Sequence, residues 1–184
     1  MKEEFLENAN EFREIKLFAF FDRTIAEIIM GFINRSIYLS KQTVELVENH
    51  NGEIAEAVLR MLYENRLKLL WLLNKKDLKL FQRFREYSAG REKLFYDKMT
   101  KISNSELLED YKKEVDFKLK QEGLNDFEVA IERGDVYEIG VDKMADQLGE
   151  DERYLYDFVY KRTSDIVHGN WRIIEKYHLI RSDN

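Results

Sequence analysis

Cysteine and proline are both absent from the 184 residues, and glycine occurs only 8 times. The first absence excludes disulfide scaffolds, thiolate metal sites and cysteine nucleophiles, and makes a reducing cytoplasm the expected compartment. The second excludes proline-rich and collagen-like segments and removes the strongest helix breaker. Uncharged apolar runs are lacking too. The most apolar stretch, Ile54 to Leu73, is long enough to cross a bilayer but carries Glu56, Arg60, Glu64, Arg66 and Lys68, so no membrane span and no membrane partner is expected. The opening Met1-Lys2-Glu3-Glu4 is charged and leads into no apolar run, unlike a secretory signal.

What is present fits one globular domain over residues 1–184, with 44% hydrophobic and 36% charged residues. The net charge of −6 argues against nonspecific coating of nucleic acid. The charge is uneven, however. Residues 65–100 carry ten Lys or Arg against four Asp or Glu, residues 101–160 carry eight against seventeen, and residues 161–184 sum to +2. Lys75, Lys76, Lys79, Arg83, Arg85, Arg91 and Lys93 form a basic cluster that either contacts phosphates or balances acidic helix neighbours in water.

Apolar residues recur at steps of three and four, which predicts an all-α fold. Phe18, Phe21, Ile25, Ile28 and Phe32 continue through Ser36, Leu39 and Thr43 to Val47, a pattern able to sustain one long N-terminal helix from Phe12 to Asn49, about 55 Å. His50-Asn51-Gly52 breaks it. A second helix, Glu53 to Leu73, is expected to bury Ile54, Val58, Met61, Leu62, Leu69 and Leu72 as the central member of a bundle. Asn74 to Asp77 makes a turn before a third helix, Leu78 to Ile102, which contains Gly90. Ser105 is a candidate N-cap for Glu106 to Gln121, closed by Gly123. Leu124 to Gly140 reads as a loop or lid. Met144 to Leu148, closed by Gly149, precedes a helix from Asp151 to His168; Asn170 caps a short last one, and the tail after Ile180 is expected to be loose. The sum is a single helical bundle of five to seven helices.

Three histidines with no spaced carboxylate partners make a metal centre unexpected, and no cofactor is implied. Glycine-rich phosphate turns and Gly-x-Ser-x-Gly elbows are missing as well. Chemistry concentrates in Tyr160-Lys161-Arg162-Thr163-Ser164-Asp165-Ile166-Val167-His168-Gly169-Asn170. An imidazole such as His168 exchanges protons with a ribose hydroxyl or a leaving oxygen, and a guanidinium such as Arg162 stabilises the charged phosphorane between those events. On an ideal helix the two stand about 9 Å apart axially and about 120° apart in rotation. They converge only through distortion at Gly169 or through a second copy of the chain. The same residues fit a helix C-terminus with His168 in the last turn and Gly169 in the left-handed cap position. Ser164 or Asp165 then orients the ring, and Arg162 pairs with an acid such as Asp157. Glu56, Arg60, Glu64 and Lys68 step by four with alternating sign. They form either a solvated stripe or a charged pair, Arg60 and Glu64, directed into a cleft lined by Tyr63, Tyr154, Tyr156, Tyr160 and Trp171.

Ala57 to Glu64, Met144 to Gly149, Tyr154 to Tyr160 and Ser164 to Gly169 together resemble a bacterial domain family of unknown function, in which an Arg-x-x-x-Glu helix precedes a Ser-x-x-x-His-Gly helix. The chain is also similar to the wider HEPN group of helical bundles, whose ribonucleases carry an Arg, four to six residues, then His. Arg162 and His168 match that spacing, although active members often place Asn, Asp or His directly after the Arg and this chain has Thr163. The HEPN likeness implies a homodimer with one RNA-cleaving site where two helix ends meet, in a toxin, phage-defence or RNA-processing setting with an antitoxin or operon partner.

Two readings follow. In the first, a metal-independent endoribonuclease, His168, Arg162 and Ser164 are catalytic, and Arg60, Glu64, Asn170 and Arg172 bind RNA. In the second, the chain is a noncatalytic binding or regulatory module whose Arg60, Glu64 and His168 stabilise the fold or receive a ligand.

Overall fold

Helical periodicity without proline yields seven helices and no strand among the residues that the computed structural model describes, 22–102, 106–121 and 136–179. They are α1 (Arg23–Glu48), α2 (Gly52–Lys75), α3 (Leu78–Ile102), α4 (Glu106–Gln121), α5 (Val141–Leu148), α6 and α7 (Trp171–His178). Helix α6 runs without a break through three segments, Glu150–Leu155, Tyr156–Tyr160 and Lys161–Val167. The described residues group into two compact units: one contains residues 22–76 and 140–179, the other residues 77–102, 106–121 and 136–139.

Helix α1 starts later than its apolar pattern predicts. Asp22 has an extended backbone, and its carboxylate accepts the free N–H groups of Thr24 (2.8 Å) and Ile25 (3.2 Å), an N-cap that sets the helix start. Phe18 and Phe21 lie outside the described residues. Phe32 and Leu39 are buried as expected, together with Ile29 and Ile37. The polar members of the stripe, Ser36 and Thr43, bond back to the carbonyls of Phe32 and Leu39 at 2.9 Å each. The break at His50 is a turn with a left-handed backbone (φ 56°).

Helix α2 is the centre of the first unit and packs on α1, α5 and α6. Its buried face differs from expectation: Ile54 is 49% and Met61 44% exposed, while Leu67 and Leu72 are fully covered. Tyr63, Leu67 and Trp71 step by four along the buried face, and Met61, two residues before Tyr63, points about 200° away. Buried Asn65 donates to the Phe32 carbonyl and the Ser36 hydroxyl, both at 2.8 Å, and ties α2 to α1. Trp71 donates its indole N–H to Gln147 of α5 at 2.8 Å. That helix buries Met144 and Ala145 and is closed by Gly149 at φ 113°, a conformation suited to glycine.

In the second unit α3 and α4 form a hairpin around Ala89, Val115 and Leu119, with Tyr111 at its edge. Gly90 is buried within the unbroken α3. Phe84 meets Tyr137 at 5.9 Å between ring centres, and Arg83 of the basic cluster pairs with Glu138. Ser105, Gly123, most of the expected lid and the tail after Ile180 lie outside the described residues. Among the described residues no helix is long and apolar enough to cross a membrane.

The exposure pattern of α2 predicts that Leu67→Ala lowers stability by about 2–5 kcal/mol, whereas Met61→Ala changes it by less than about 0.5 kcal/mol. Urea unfolding of the two variants checks the ranking.

Candidate functional site

The motif from Tyr160 to Asn170 sits on the last segment of α6 and the turn into α7, and its orientation is set by an irregularity upstream. Residues Tyr156–Tyr160 form a π-turn, in which the N–H of Lys161 bonds to the carbonyl of Tyr156, five residues back. One extra residue per turn rotates everything that follows by about 100° relative to a continuous α-helix. Thr163 is buried, and its hydroxyl donates to the Val159 carbonyl at 2.7 Å and, less closely, to that of Tyr160 at 3.3 Å. The position that departs from the HEPN pattern therefore serves the backbone of the π-turn here. With Thr163 and Ile166 buried, this segment has a defined inner face.

Arg60 of α2 is 12% exposed at its side chain, and its Nε donates to Glu64 at 3.2 Å. Its Nη2 donates to the Tyr160 hydroxyl at 2.8 Å, and the guanidinium lies 4.3 Å from the centre of the same ring, a cation–π arrangement that offsets part of the desolvation of the charge. Nη1 is buried with no hydrogen-bond partner among the described residues. Glu64 also receives Lys68 at 3.3 Å, and Glu56 accepts the Tyr177 hydroxyl of α7 at 3.1 Å. Arg60 and Glu56 of the charge stripe thus meet α6 and α7, while Glu64 and Lys68 pair along α2. Tyr160 in turn stacks on Tyr156 at 4.9 Å. Below this pair, Tyr63 donates to the Glu152 carbonyl at 3.2 Å, and Arg66 forms a two-pronged pair with the Glu152 carboxylate at 2.6 Å. Burial, helped by the nearby Glu152 charge, pushes the Tyr63 phenol up from 10.0 to about 12.

The other predicted residues lie on the opposite, solvent side. His168 is the C-cap of α6 and Gly169 takes the left-handed position at φ 60°. The Gly169 N–H bonds to the Ile166 carbonyl at 3.2 Å and the Asn170 N–H to that of Asp165 at 3.0 Å, a Schellman closure. His168, Arg162 and Arg172 are exposed. Ser164, half-buried, lies one turn before His168 on the same flank. Asp165 is engaged by the Asn170 amide at 3.1 Å. Arg162 does not pair with Asp157, which is held by Lys161 at 2.6 Å and Arg153 at 3.4 Å, cations that keep its carboxyl below the usual range. The segment stays helical up to His168 and the distortion at Gly169 follows it, so Arg162 and His168 remain on opposite flanks, about 120° apart.

The arrangement therefore has two parts, an internal cluster around Arg60 and an external corner at the α6–α7 turn. The external corner holds an imidazole and two guanidinium groups able to meet a phosphodiester. Of the expected aromatic lining, Tyr63 is buried in the core, while Tyr154 and Trp171 are exposed. An open groove lined by Asp146, Gly149, Glu150, Arg153, Tyr154 and Asp157 lies apart from that corner. Arg153 bridges two of its three acids, Asp146 at 2.9 Å and Asp157 at 3.4 Å. Among the described residues no three His, Asp or Glu side chains gather as a metal-binding group. Sequence reasoning missed the Tyr160–Arg60 bond, the role of Thr163 and the Arg66–Glu152 pair. Contacts between residues up to 100 positions apart leave no mark in local spacing.

Thr163→Val keeps the shape but leaves the Val159 carbonyl without its donor, and is expected to cost about 1–3 kcal/mol in chemical unfolding. The raised Tyr63 phenol is protonated in the fold where the unfolded chain has begun to ionise. Its contribution is complete below pH 10.0 and lost as pH climbs toward about 12. Wild type should therefore lose stability relative to Tyr63→Phe across that window, read from unfolding curves at stepped pH.

Comparison with curated proteins and with solved structures returns no match. Residues 26–184 match a family of unknown function, DUF5677. That span takes in most of α1, the Arg60–Glu64 pair on α2 and the whole α6–α7 corner, and the chain belongs to this family.

Proposed function

We propose that this chain is a metal-independent endoribonuclease that acts as a homodimer through the α6–α7 corner. The observation that carries the reading is the exposure of His168 and Arg172 at one tight turn and of Arg162 on the helix leading into it, with no side-chain hydrogen bond or ion pair of the three among the described residues. An exposed imidazole and exposed guanidinium groups without side-chain partners are available to a phosphate. The likeness to HEPN ribonucleases in the Arg–His spacing supports it, as does the local charge of +2 over residues 161–184. That likeness also suggests a toxin or phage-defence setting with an antitoxin partner.

In this mechanism neutral His168 takes the proton from a ribose 2′-hydroxyl, whose oxygen attacks the adjacent phosphorus. The bond to the 5′-oxygen breaks, that oxygen takes up a proton, and the products are a 2′,3′-cyclic phosphate and a 5′-hydroxyl. A guanidinium holds the added negative charge of the phosphorane. One chain presents Arg162 and His168 on opposite flanks of α6, so a second copy supplies the complementary half. Ser164, Asn170 and Arg172 hold the phosphate and ribose. Arg60 and Glu64 act from inside, fixing Tyr160 and with it the start of the segment that carries the motif. A cytoplasmic location fits such a substrate. Their internal engagement also favours the second reading, a noncatalytic module in which the same corner binds without cleaving.

Purified protein incubated with total RNA in EDTA is expected to release fragments ending in cyclic phosphate. His168→Ala should lower the rate by about 10²–10⁴-fold with the fold intact. Mixing His168→Ala with Arg162→Ala chains, unfolded and refolded together, should restore part of the activity. Cleavage that survives His168→Ala removes the catalytic reading; binding without cleavage by wild type leaves the noncatalytic one.

A further inference from the structure

The chain has two tryptophans, and their surroundings differ sharply. Trp71 is 5% exposed and donates to Gln147, whereas Trp171 is 65% exposed. Trp171 opens α7 immediately after the Gly169–Asn170 turn, three residues beyond His168 and beside Arg172. Val167, before the turn, and Ile174, one helical turn after Trp171, are exposed as well. From this we infer that Trp171 is a stacking platform for an unpaired base, which makes single-stranded RNA the substrate class of the corner. The inference rests on the phosphodiester-binding reading of the same residues.

An indole face stacks on any base that is free of its neighbours. In a duplex those faces are already occupied, and the A-form helix offers mainly hydroxyls and phosphates. Arg162 and Arg172, unpaired among the described residues, supply charge for the phosphates flanking a stacked base. A purely apolar protein partner would leave those two cations buried without an acceptor. The chemistry favours a polyanion carrying planar rings.

The test uses the full chain and 2′-O-methyl oligonucleotides, which lack the attacking hydroxyl, so that binding is read apart from cleavage. Because Trp71 is enclosed, quenching by ligand reports on Trp171. Single-stranded oligomers of about twelve nucleotides should quench the exposed component, and the matching duplex should not. Trp171→Ala should weaken single-strand binding about tenfold and leave duplex binding unchanged, with Trp171→Phe recovering part of the loss. Circular dichroism checks that both variants are folded. Equal quenching by duplex and single strand overturns the inference, as does Trp171→Ala that dissociates a dimer without altering single-strand affinity. Quenching without cleavage of unmodified RNA sustains the stacking role and ends the nuclease reading. Cleavage without quenching does the reverse.

Discussion

The contact between Arg60 and Tyr160 joins the two halves of the motif that the sequence displays as separate stretches. A guanidinium largely withdrawn from water needs several acceptors, and this one has the Glu64 carboxylate, a phenol oxygen and the face of the same ring. Together they hold Tyr160 at the end of a π-turn, which fixes the rotation of the following segment. The rotation puts Thr163 and Ile166 inward and leaves His168 and Arg162 to solvent. The chemistry at the surface depends in this way on an electrostatic arrangement underneath it.

Division of labour within the two motifs follows from burial. Arg60 and Glu64 have the composition of a substrate clamp, yet Arg60 is engaged by Glu64 of α2 and Tyr160 of α6, and Glu64 by Arg60 and Lys68. Such a cluster favours one docking angle of α6, because any other leaves a charge without its partner. His168 and Arg172 have no such obligations, and Asn170 spends its side-chain amide on Asp165. The chain thus separates residues that position from residues that are free to meet a ligand.

Much of this was legible beforehand. The absence of proline and the spacing of Phe32 and Leu39 pointed to long helices, and Gly169 after His168 pointed to a left-handed helix end, because glycine alone occupies that conformation at little cost. The buried face of α2 was misjudged at Ile54 and Met61, since a helix apolar on several sides does not reveal which side meets its neighbours. The first helix starts later than its hydrophobic stripe suggests, because the Asp22 carboxylate reaches two N–H groups and sets the helix start there. The π-turn had no signature in spacing at all. Thr163 looks like an imperfect match to a catalytic pattern, and its bond to the Val159 carbonyl is visible only in the structure.

By itself the order of residues determined the class of fold, the turn at Gly169 and the nearness of an imidazole to a guanidinium, because these depend on backbone preferences and on interactions a few residues long. Tertiary structure alone decided which charges are enclosed, which tryptophan faces water and on which flanks of α6 the two groups stand. Those outcomes depend on how α2 meets a helix about a hundred positions later, and desolvation is a property of that meeting.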